Sequence, residues 1–137
     1  MHLRSLEDTR YFAEALSRLP AGSLLVLSGP LGAGKTTLTQ QLALALGSDA
    51  KVSSPTYTLI HEYPTPTGPL VHIDAYRLVG ADALFELGLE DYLARARLVV
   101  VEWGEALLDS YPEAVLVTLG MKGGERYAVR ASEQAGG

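Results

Sequence analysis

The chain has 137 residues, the length of one domain, and its hydrophobic content of 47% and charged content of 20% are those of an ordinary globular protein. It has no cysteine, which excludes disulfide bonds, thiolate chemistry and cysteine-ligated zinc. A net charge of −5 argues against long-range attraction as the main way of binding nucleic acid. No apolar run approaches the ~20 residues that cross a bilayer, and no secretory signal is evident at the start. We therefore expect a cytoplasmic protein without membrane contact.

The first third of the chain predicts a helix, a buried strand and a second helix. Ser5 is a typical N-cap for a helix that reaches about Leu19. Residues 24–27 are a continuous apolar run, as expected of a strand buried on both faces of a parallel sheet. After a glycine-rich loop, residues 35–46 are expected to form a helix that Gly47 ends.

Strand and helix patterns alternate along the rest of the chain. The predicted strands are 57–63, 70–74, 98–102, 114–119 and 126–131, and the predicted helices are 81–93, broken at Gly88, and 105–110. A loop containing Gly123 and Gly124 joins the last two strands and is compatible with a hairpin. The alternation predicts one α/β domain over residues 1–137, with a mostly parallel sheet flanked by helices and antiparallel strands at its C-terminal edge. Residues 132–137 are expected to be a disordered tail.

Residues 29–36 fit the pattern G-x-x-x-x-G-K-S/T between the buried strand and the helix that follows it. Glycines allow successive backbone N–H groups to point at an anion, and the helix adds the positive end of its dipole. Lys35 can then reach the β- and γ-phosphates of ATP, and the Thr36 hydroxyl is placed to ligate Mg²⁺. The fold expected is therefore P-loop NTPase-like. The predicted nucleotide contacts are Gly29, Pro30, Leu31, Gly32, Ala33, Gly34, Lys35, Thr36, Thr37 and, outside the loop, Trp103.

Two acids end apolar strands and are candidates for the metal and for catalysis. Asp74 ends the strand 70–74 and Glu102 ends the strand 98–102. By pattern alone either could bind Mg²⁺ beside the phosphates. Because Asp is the shorter and stiffer oxygen ligand for octahedral Mg²⁺, we assign Asp74 to the metal. Glu102 is then the candidate that polarises the attacking water, unless either acid simply caps the next helix.

Other polar and aromatic residues give weaker signals. Thr56, in the irregular stretch after the second helix, could complete the Mg²⁺ shell and sense the γ-phosphate, although its surroundings are also common turn composition. Trp103 could stack on a base or a partner, and a core aromatic is equally compatible with its position. His72 reads as structural rather than catalytic. Arg77 could contact phosphate or form a salt bridge.

Taken together, these segments resemble the bacterial TsaE (YjeE) ATPases over about residues 24–119. The matching segments are Gly-Ala-Gly-Lys-Thr-Thr at 32–37, Ser-Pro-Thr-Tyr-Thr-Leu at 54–59, His-Ile-Asp-Ala-Tyr-Arg-Leu at 72–78, Gly-Leu-Glu-Asp-Tyr at 88–92 and Val-Glu-Trp at 101–103. The phosphate loop alone is generic, whereas the His-x-Asp-x-Tyr-Arg-Leu segment is much more specific. One departure is Pro30, where the family often has Asp and where a proline has no N–H to donate.

The resemblance implies an ATPase subunit, with ATP/ADP and Mg²⁺ as cofactors, in the synthesis of threonylcarbamoyladenosine in tRNA. It implies the TsaB–TsaD complex as partner, reset by ATP hydrolysis, and only indirect contact with tRNA. Carried over by position, Lys35 and Thr36 bind phosphate and Mg²⁺, and Thr56 is the switch threonine. Asp74 is the metal-associated acid, and Glu102 and Trp103 are the strand-end pair important for activity.

Two other functions fit the same phosphate loop. A small-molecule P-loop kinase would need an arginine-bearing lid, for which Arg95 and Arg97 are the only close pair. A nucleotide-dependent binding switch would bind ATP with negligible hydrolysis of its own. A GTPase is disfavoured because neither Lys51 nor Lys122 lies in a guanine-reading motif.

Overall fold

The computed structural model describes residues 2–3, 5–29, 34–49, 60–74, 85–86 and 88–131. They contain one six-stranded sheet with the strand order β2-β3-β4-β1-β5-β6. The strands are β1 (Ser23–Ser28), β2 (Ile60–Tyr63), β3 (Leu70–Asp74), β4 (Leu98–Glu102), β5 (Val115–Lys122) and β6 (Glu125–Ala131). Every predicted strand is present, although β5 begins one residue later and ends three residues later than the predicted range 114–119; residues 57–59 and 132–137 lie outside the described residues.

The four central strands are parallel and each edge carries one antiparallel strand. Strand β1 pairs in parallel with β4 and β5, and β3 pairs in parallel with β4. Strand β6 pairs antiparallel with β5, and β2 with β3, so the predicted antiparallel C-terminal edge is confirmed and the opposite edge is antiparallel as well. The β5–β6 hairpin turns through Gly123 and Gly124, whose φ values of 61° and 81° suit a two-residue turn with positive φ at both positions.

The described residues include three α-helices and one 3₁₀-helix. They are α1 (Leu6–Leu16), α2 (Lys35–Ala45), α3 (Leu89–Arg95) and the 3₁₀-helix Glu105–Leu108. The predicted cap of α1 is confirmed, because the N–H of Asp8 donates to Ser5 Oγ at 3.2 Å. The predicted break at Gly88 is also confirmed, with φ of 92°; Phe85 and Glu86 are helical before it, and residues 81–84 and 87 lie outside the described residues. None of the described helices is long and apolar enough to cross a membrane.

Helix α1 ends at Leu16, three residues before the predicted end at Leu19. The chain tightens there, since the N–H groups of Arg18 and Leu19 donate to the carbonyls three residues back. Pro20 disfavours helical dihedrals at Leu19, which explains the early end. The predicted helix 105–110 is likewise shorter, a 3₁₀-helix that ends at Leu108.

The two faces of the sheet are covered by different helices. Leu25, Leu27 and Val100 belong to the core cluster that packs with α1 and α2, whereas their chain neighbours Val26 and Val101 belong to the cluster that packs with α3 and the 3₁₀-helix. Because strand side chains alternate between faces, every second residue of β3 and β4 lies on the α2 face. His72, Asp74 and Glu102 are on that face, since Glu102 is the register partner of both Leu27 and Asp74.

Candidate functional site

Gly29 and Gly34 flank the centre of the phosphate loop, and each requires the freedom of glycine. Gly29 has φ of 139°, and a Cβ atom there would lie 2.3 Å from the carbonyl oxygen of Leu119. Gly34 has φ of 103° and is the N-cap residue of α2. A side chain is therefore excluded by the clash at Gly29 and disfavoured by the backbone conformation at Gly34, the two positions where the sequence motif requires glycine. Pro30, Leu31, Gly32 and Ala33 lie outside the described residues.

Helix α2 begins directly after Gly34 with Lys35, Thr36 and Thr37. Its first intrahelical bond runs from the N–H of Leu38 to the carbonyl of Gly34 at 2.9 Å. No side-chain hydrogen bond caps the N-terminus of this helix within the described part of the chain. The N–H groups of its first turn lie at the positive end of the helix dipole, which is the arrangement that favours anions.

Lys35 is the centre of the candidate site. Lys35 is only 5% exposed, and its Nζ donates to the carbonyl oxygen of Gly29 at 2.7 Å. The same Nζ lies 3.9 Å from Glu102 Oε1 and 4.2 Å from the centroid of the Trp103 ring. A cation that is nearly buried needs such partners, and here they are a carbonyl, a carboxylate and the face of an indole.

Glu102 lies between Lys35 and His72, for which the sequence indicates no catalytic role. Glu102 is 6% exposed, and His72 Nε2 lies 2.5 Å from its Oε2 atom. His72 is fully buried, and its Nδ1 has no hydrogen-bond partner among the described residues. This agrees with the prediction that His72 is structural, because the buried side chain fixes the position of the candidate catalytic carboxylate. The signal available in the sequence was the two-residue spacing from Asp74, which puts both side chains on one face of β3.

Asp74 and Glu102 lie next to each other at one edge of the sheet. They are register partners at the carboxyl ends of β3 and β4, beside the end of β1 from which the phosphate loop departs. Asp74 is partly exposed, whereas Glu102 is buried. Carboxyl ends of parallel strands face the crevice in which open α/β sheets bind their ligands. Thr56 lies outside the described residues, so its position relative to these acids stays a prediction.

Trp103 follows β4 in a left-handed backbone conformation, with φ of 64°. This region is uncommon for a bulky residue and costs about 1–3 kcal/mol, which the surrounding structure must offset. The conformation places the indole against the ammonium group of Lys35. Such strained residues cluster at functional sites, and this one directly follows the buried carboxylate.

The donor set fits Mg²⁺ bound with phosphate rather than a closed protein cage. The described residues contain no group of three or more His, Cys, Asp or Glu side chains that could hold a metal ion. Mg²⁺ usually takes one or two carboxylates and completes its shell with water and substrate phosphates. Thr36 and Asp74 are partly exposed residues whose side chains carry oxygen atoms of the required kind.

Arg95 and Arg97, the candidate arginines for a kinase lid, each donate hydrogen bonds to other parts of the protein. Arg95 donates to Glu62 Oε1 at 2.7 Å and to Oε2 at 3.1 Å. This hydrogen bond lowers the pKa of the Glu62 carboxyl and raises that of Arg95. Arg97 directly precedes β4, at the end opposite Glu102, and its Nη2 donates to the carbonyl of Ser17 at 2.8 Å. Both guanidinium groups therefore bind other parts of the protein.

A buried strand, a G-x-x-x-x-G-K-T loop and a helix, with acids ending two neighbouring parallel strands, define a P-loop NTPase-like α/β domain. The family described as "Threonylcarbamoyl adenosine biosynthesis protein TsaE" matches residues 3–130. The chain therefore belongs to the TsaE family.

Similar proteins include two curated proteins named "tRNA threonylcarbamoyladenosine biosynthesis protein TsaE". The one from Treponema pallidum (strain Nichols) is 38% identical over 111 residues, which cover 80% of this chain and 82% of that protein. The one from Haemophilus influenzae (strain ATCC 51907 / DSM 11121 / KW20 / Rd) is 39% identical over 111 residues, covering 79% and 70%. The crystal structure of YdiB from Bacillus subtilis superposes with a TM-score of 0.77 at 28% identity, covering 96% of this chain and 83% of that chain.

Proposed function

We propose that this chain is a Mg²⁺-dependent ATPase that serves threonylcarbamoyladenosine modification of tRNA together with a TsaB–TsaD complex. The observation that carries the proposal is the position of Lys35. Its nearly buried ammonium group lies at the start of α2, between the carbonyl of Gly29 and the carboxylate of Glu102. A phosphate chain would bind at the same place, because it meets a cation, the N–H groups of the helix and the carboxyl edge of the sheet.

Phosphate binding would change the partners of Lys35. Its contact with the carbonyl of Gly29 is one that a charged phosphate oxygen can replace at similar distance. The ammonium group of Lys35 would then be attracted both by the phosphates and by the carboxylate of Glu102, which lies 3.9 Å away. Glu102 keeps its hydrogen bond to His72 in either case, so its carboxylate stays in place while the cation turns to the nucleotide.

Thr36 and Asp74 are the residues that would hold Mg²⁺, with Thr56 as a further ligand and sensor of the γ-phosphate. The ion would neutralise charge on the phosphate oxygens during transfer. Glu102 then orients a water molecule and accepts its proton as the water oxygen attacks the γ-phosphorus. The bond from that phosphorus to the bridging oxygen breaks, and ADP and inorganic phosphate are the products.

The partner assignment rests on the family. The matched relatives are named for tRNA threonylcarbamoyladenosine biosynthesis, and ATP hydrolysis by this chain would reset the TsaB–TsaD complex between turnovers. The net charge of −5 supports an indirect relation to tRNA, because a subunit that bound the phosphate backbone directly would need a basic surface.

Phosphate release from ATP tests the proposal. The protein is assayed alone and with the TsaB–TsaD complex, as wild type, Lys35→Ala and the matched control Lys122→Ala, which changes an exposed lysine. We expect slow release alone, faster release with the complex, activity lost in Lys35→Ala and kept in Lys122→Ala. A phosphorylated acceptor without free phosphate would instead identify a kinase. ATP binding without hydrolysis in any mixture would identify a nucleotide-dependent switch.

A further inference from the structure

The turn that follows β4 packs closely against the strand it leaves. Trp103 has the left-handed conformation described above, with φ of 64°. A Cβ atom built on Gly104, the next residue, would lie 2.6 Å from Val101 Cγ1, so only glycine lets the turn approach β4 this closely. The N–H of Leu107 donates to the carbonyl of Gly104 at 2.9 Å, which starts the 3₁₀-helix at this turn. The position of the indole therefore depends on the segment that follows it.

A hydrogen bond links this segment to the entrance of the phosphate loop. Glu105 is the first residue of the 3₁₀-helix, and Ser28 is the last residue of β1, directly before Gly29. Ser28 Oγ donates to Glu105 Oε2 at 2.9 Å, although the two residues are 77 positions apart in the chain. Hydrogen bonds that a carboxylate accepts are stronger than those between neutral groups. The bond thus joins the strand that leads into the phosphate loop to the turn that carries Trp103.

The same turn directs the Trp103 indole to Lys35. The ring centroid lies 4.2 Å from Lys35 Nζ, and Lys35 is 5% exposed. Because the left-handed conformation of Trp103 costs free energy, contacts of the neighbouring residues must hold it. On the C-terminal side these contacts include the packing of Gly104 on β4 and the bond between Ser28 and Glu105. Loss of the bond would let the turn relax and move the indole away from the ammonium group.

We propose that Glu105 is a positioning residue of the ATPase site, which keeps the Trp103 indole on Lys35; the proposal rests on the proposed function. Glu105 acts through its hydrogen bond to Ser28 and not by contact with the nucleotide. Ser28 directly follows Leu27, which belongs to the core cluster on the α2 face. Since strand side chains alternate between faces, Ser28 and its partner Glu105 lie on the α3 face, opposite to the face that carries the two candidate acids.

The indole supports hydrolysis by excluding water from the ammonium group. In a site without water, the attraction between a cation and the charge that develops on phosphate is stronger than in contact with solvent. An ammonium group that is held at one point also needs no reorganisation during the transfer. The N–H groups in the first turn of α2 attract phosphates independently of the indole. We therefore expect the rate of hydrolysis to depend on Glu105 more strongly than the affinity for ATP does.

Fluorescence of Trp103, the single tryptophan, tests whether Glu105 holds the indole. The variants are Glu105→Ala, Ser28→Ala, the double variant, and Glu105→Gln, whose amide oxygen can still accept the hydrogen bond of the Ser28 hydroxyl. The matched control is Asp109→Ala, which changes an exposed acid directly after the 3₁₀-helix. Well below the melting temperature, the accessibility of Trp103 to acrylamide should rise in Glu105→Ala and in Ser28→Ala, and no further in the double variant. Accessibility should stay at the wild-type level in Glu105→Gln and Asp109→Ala.

Phosphate release with the TsaB–TsaD complex is measured on the same proteins. The kcat of Glu105→Ala and of Ser28→Ala should fall by about threefold to tenfold, the range that loss of one hydrogen bond covers, while the dissociation constant for ATP changes by less than about threefold. Unchanged indole accessibility or unchanged kcat in Glu105→Ala, an equal effect of Asp109→Ala, or single effects that multiply in the double variant would overturn the proposal. If the wild type hydrolyses no ATP with the complex, the proposed function fails, and the fluorescence measurements alone still decide whether Glu105 positions Trp103.

Discussion

Replacing Glu102 with Gln should separate hydrolysis from nucleotide binding. Gln keeps the size of the side chain and can still hydrogen-bond to His72, but it removes the negative charge beside Lys35. We expect the rate of ATP hydrolysis to fall by about 10²–10⁴, the usual contribution of a general base. The affinity for ATP should be retained, because the contacts of the phosphates with the loop and Lys35 do not involve this carboxylate.

The magnitude of the binding effect follows from the geometry. Two unit charges 3.9 Å apart attract by about 4 kcal/mol at an effective dielectric constant of 20 and by about 1 kcal/mol in bulk water. Desolvation of the two buried groups cancels much of that attraction. In the Gln variant the phosphates no longer compete with a carboxylate at position 102 for the ammonium group of Lys35. We therefore expect ATP affinity to be unchanged or up to about tenfold tighter, a gain of no more than about 1.4 kcal/mol.

Trp103 provides the binding assay. It is the single tryptophan of the chain, and its ring lies 4.2 Å from Lys35 Nζ, so its fluorescence should respond when the ammonium group changes partners. Hydrolysis is followed separately as phosphate release with the TsaB–TsaD complex. Glu113→Gln, the same chemical change at an exposed position, is the control. If Glu102→Gln weakens Mg²⁺–ATP binding more than tenfold and Asp74→Asn does not, Glu102 is the direct metal ligand and the two roles are exchanged.

Three further changes test single contacts of the structure. Lys35→Ala should weaken ATP binding by about 1.5–3 kcal/mol, the contribution of one charge-assisted hydrogen bond, and an unchanged dissociation constant in a fluorescence titration would refute the role of the loop. His72→Leu should slow hydrolysis and lower the melting temperature, since it leaves a buried carboxylate without its donor, and His72→Gln should restore part of both; equal activity of Leu and Gln variants would argue against positioning of Glu102. Arg95 stabilises the folded protein through the Glu62 carboxylate at pH values above the ordinary Glu pKa of about 4.5, and Glu62→Gln should remove this stabilisation. Because folding lowers the pKa of Glu62, wild type and variant should differ in denaturant midpoint at neutral pH and converge as the solution is acidified through the folded-state pKa; a difference that grew on acidification would contradict this.

The parts of the fold that local sequence encodes were predicted well. The run Leu98–Glu102 is buried at every residue, which is what an uninterrupted apolar stretch ending in an acid predicts for a central parallel strand. The glycines at 29 and 34 occupy the positions with positive φ that the loop motif requires. These features depend on neighbouring residues only, so their pattern can be recognised without knowing which strands are adjacent.

Contacts between distant segments could not be predicted in the same way. His72 and Glu102 are 30 residues apart, and Gly34 and Arg126 are 92 residues apart. Their proximity depends on the strand order, in which β4 and β5 both pair with β1 although β2 and β3 precede them in the chain. Nothing in the spacing of a single segment specifies that order. The sequence therefore does not indicate that His72 contacts Glu102 or that Arg126 lies beside Gly34.

The register of the central strands connects the stability of the fold with the chemistry of the site. Leu27, Glu102 and Asp74 lie side by side on β1, β4 and β3, so the loop leaves β1 at the level where both acids end their strands. A slip of β4 by one residue would turn Glu102 toward the 3₁₀-helix and away from Lys35, and would expose the face now packed against α2. The apolar residues of β3 and β4, which fix this register, are at most 1% exposed. The carboxylate is thus held at Lys35 by the packing of the whole sheet, with His72 setting only its final orientation.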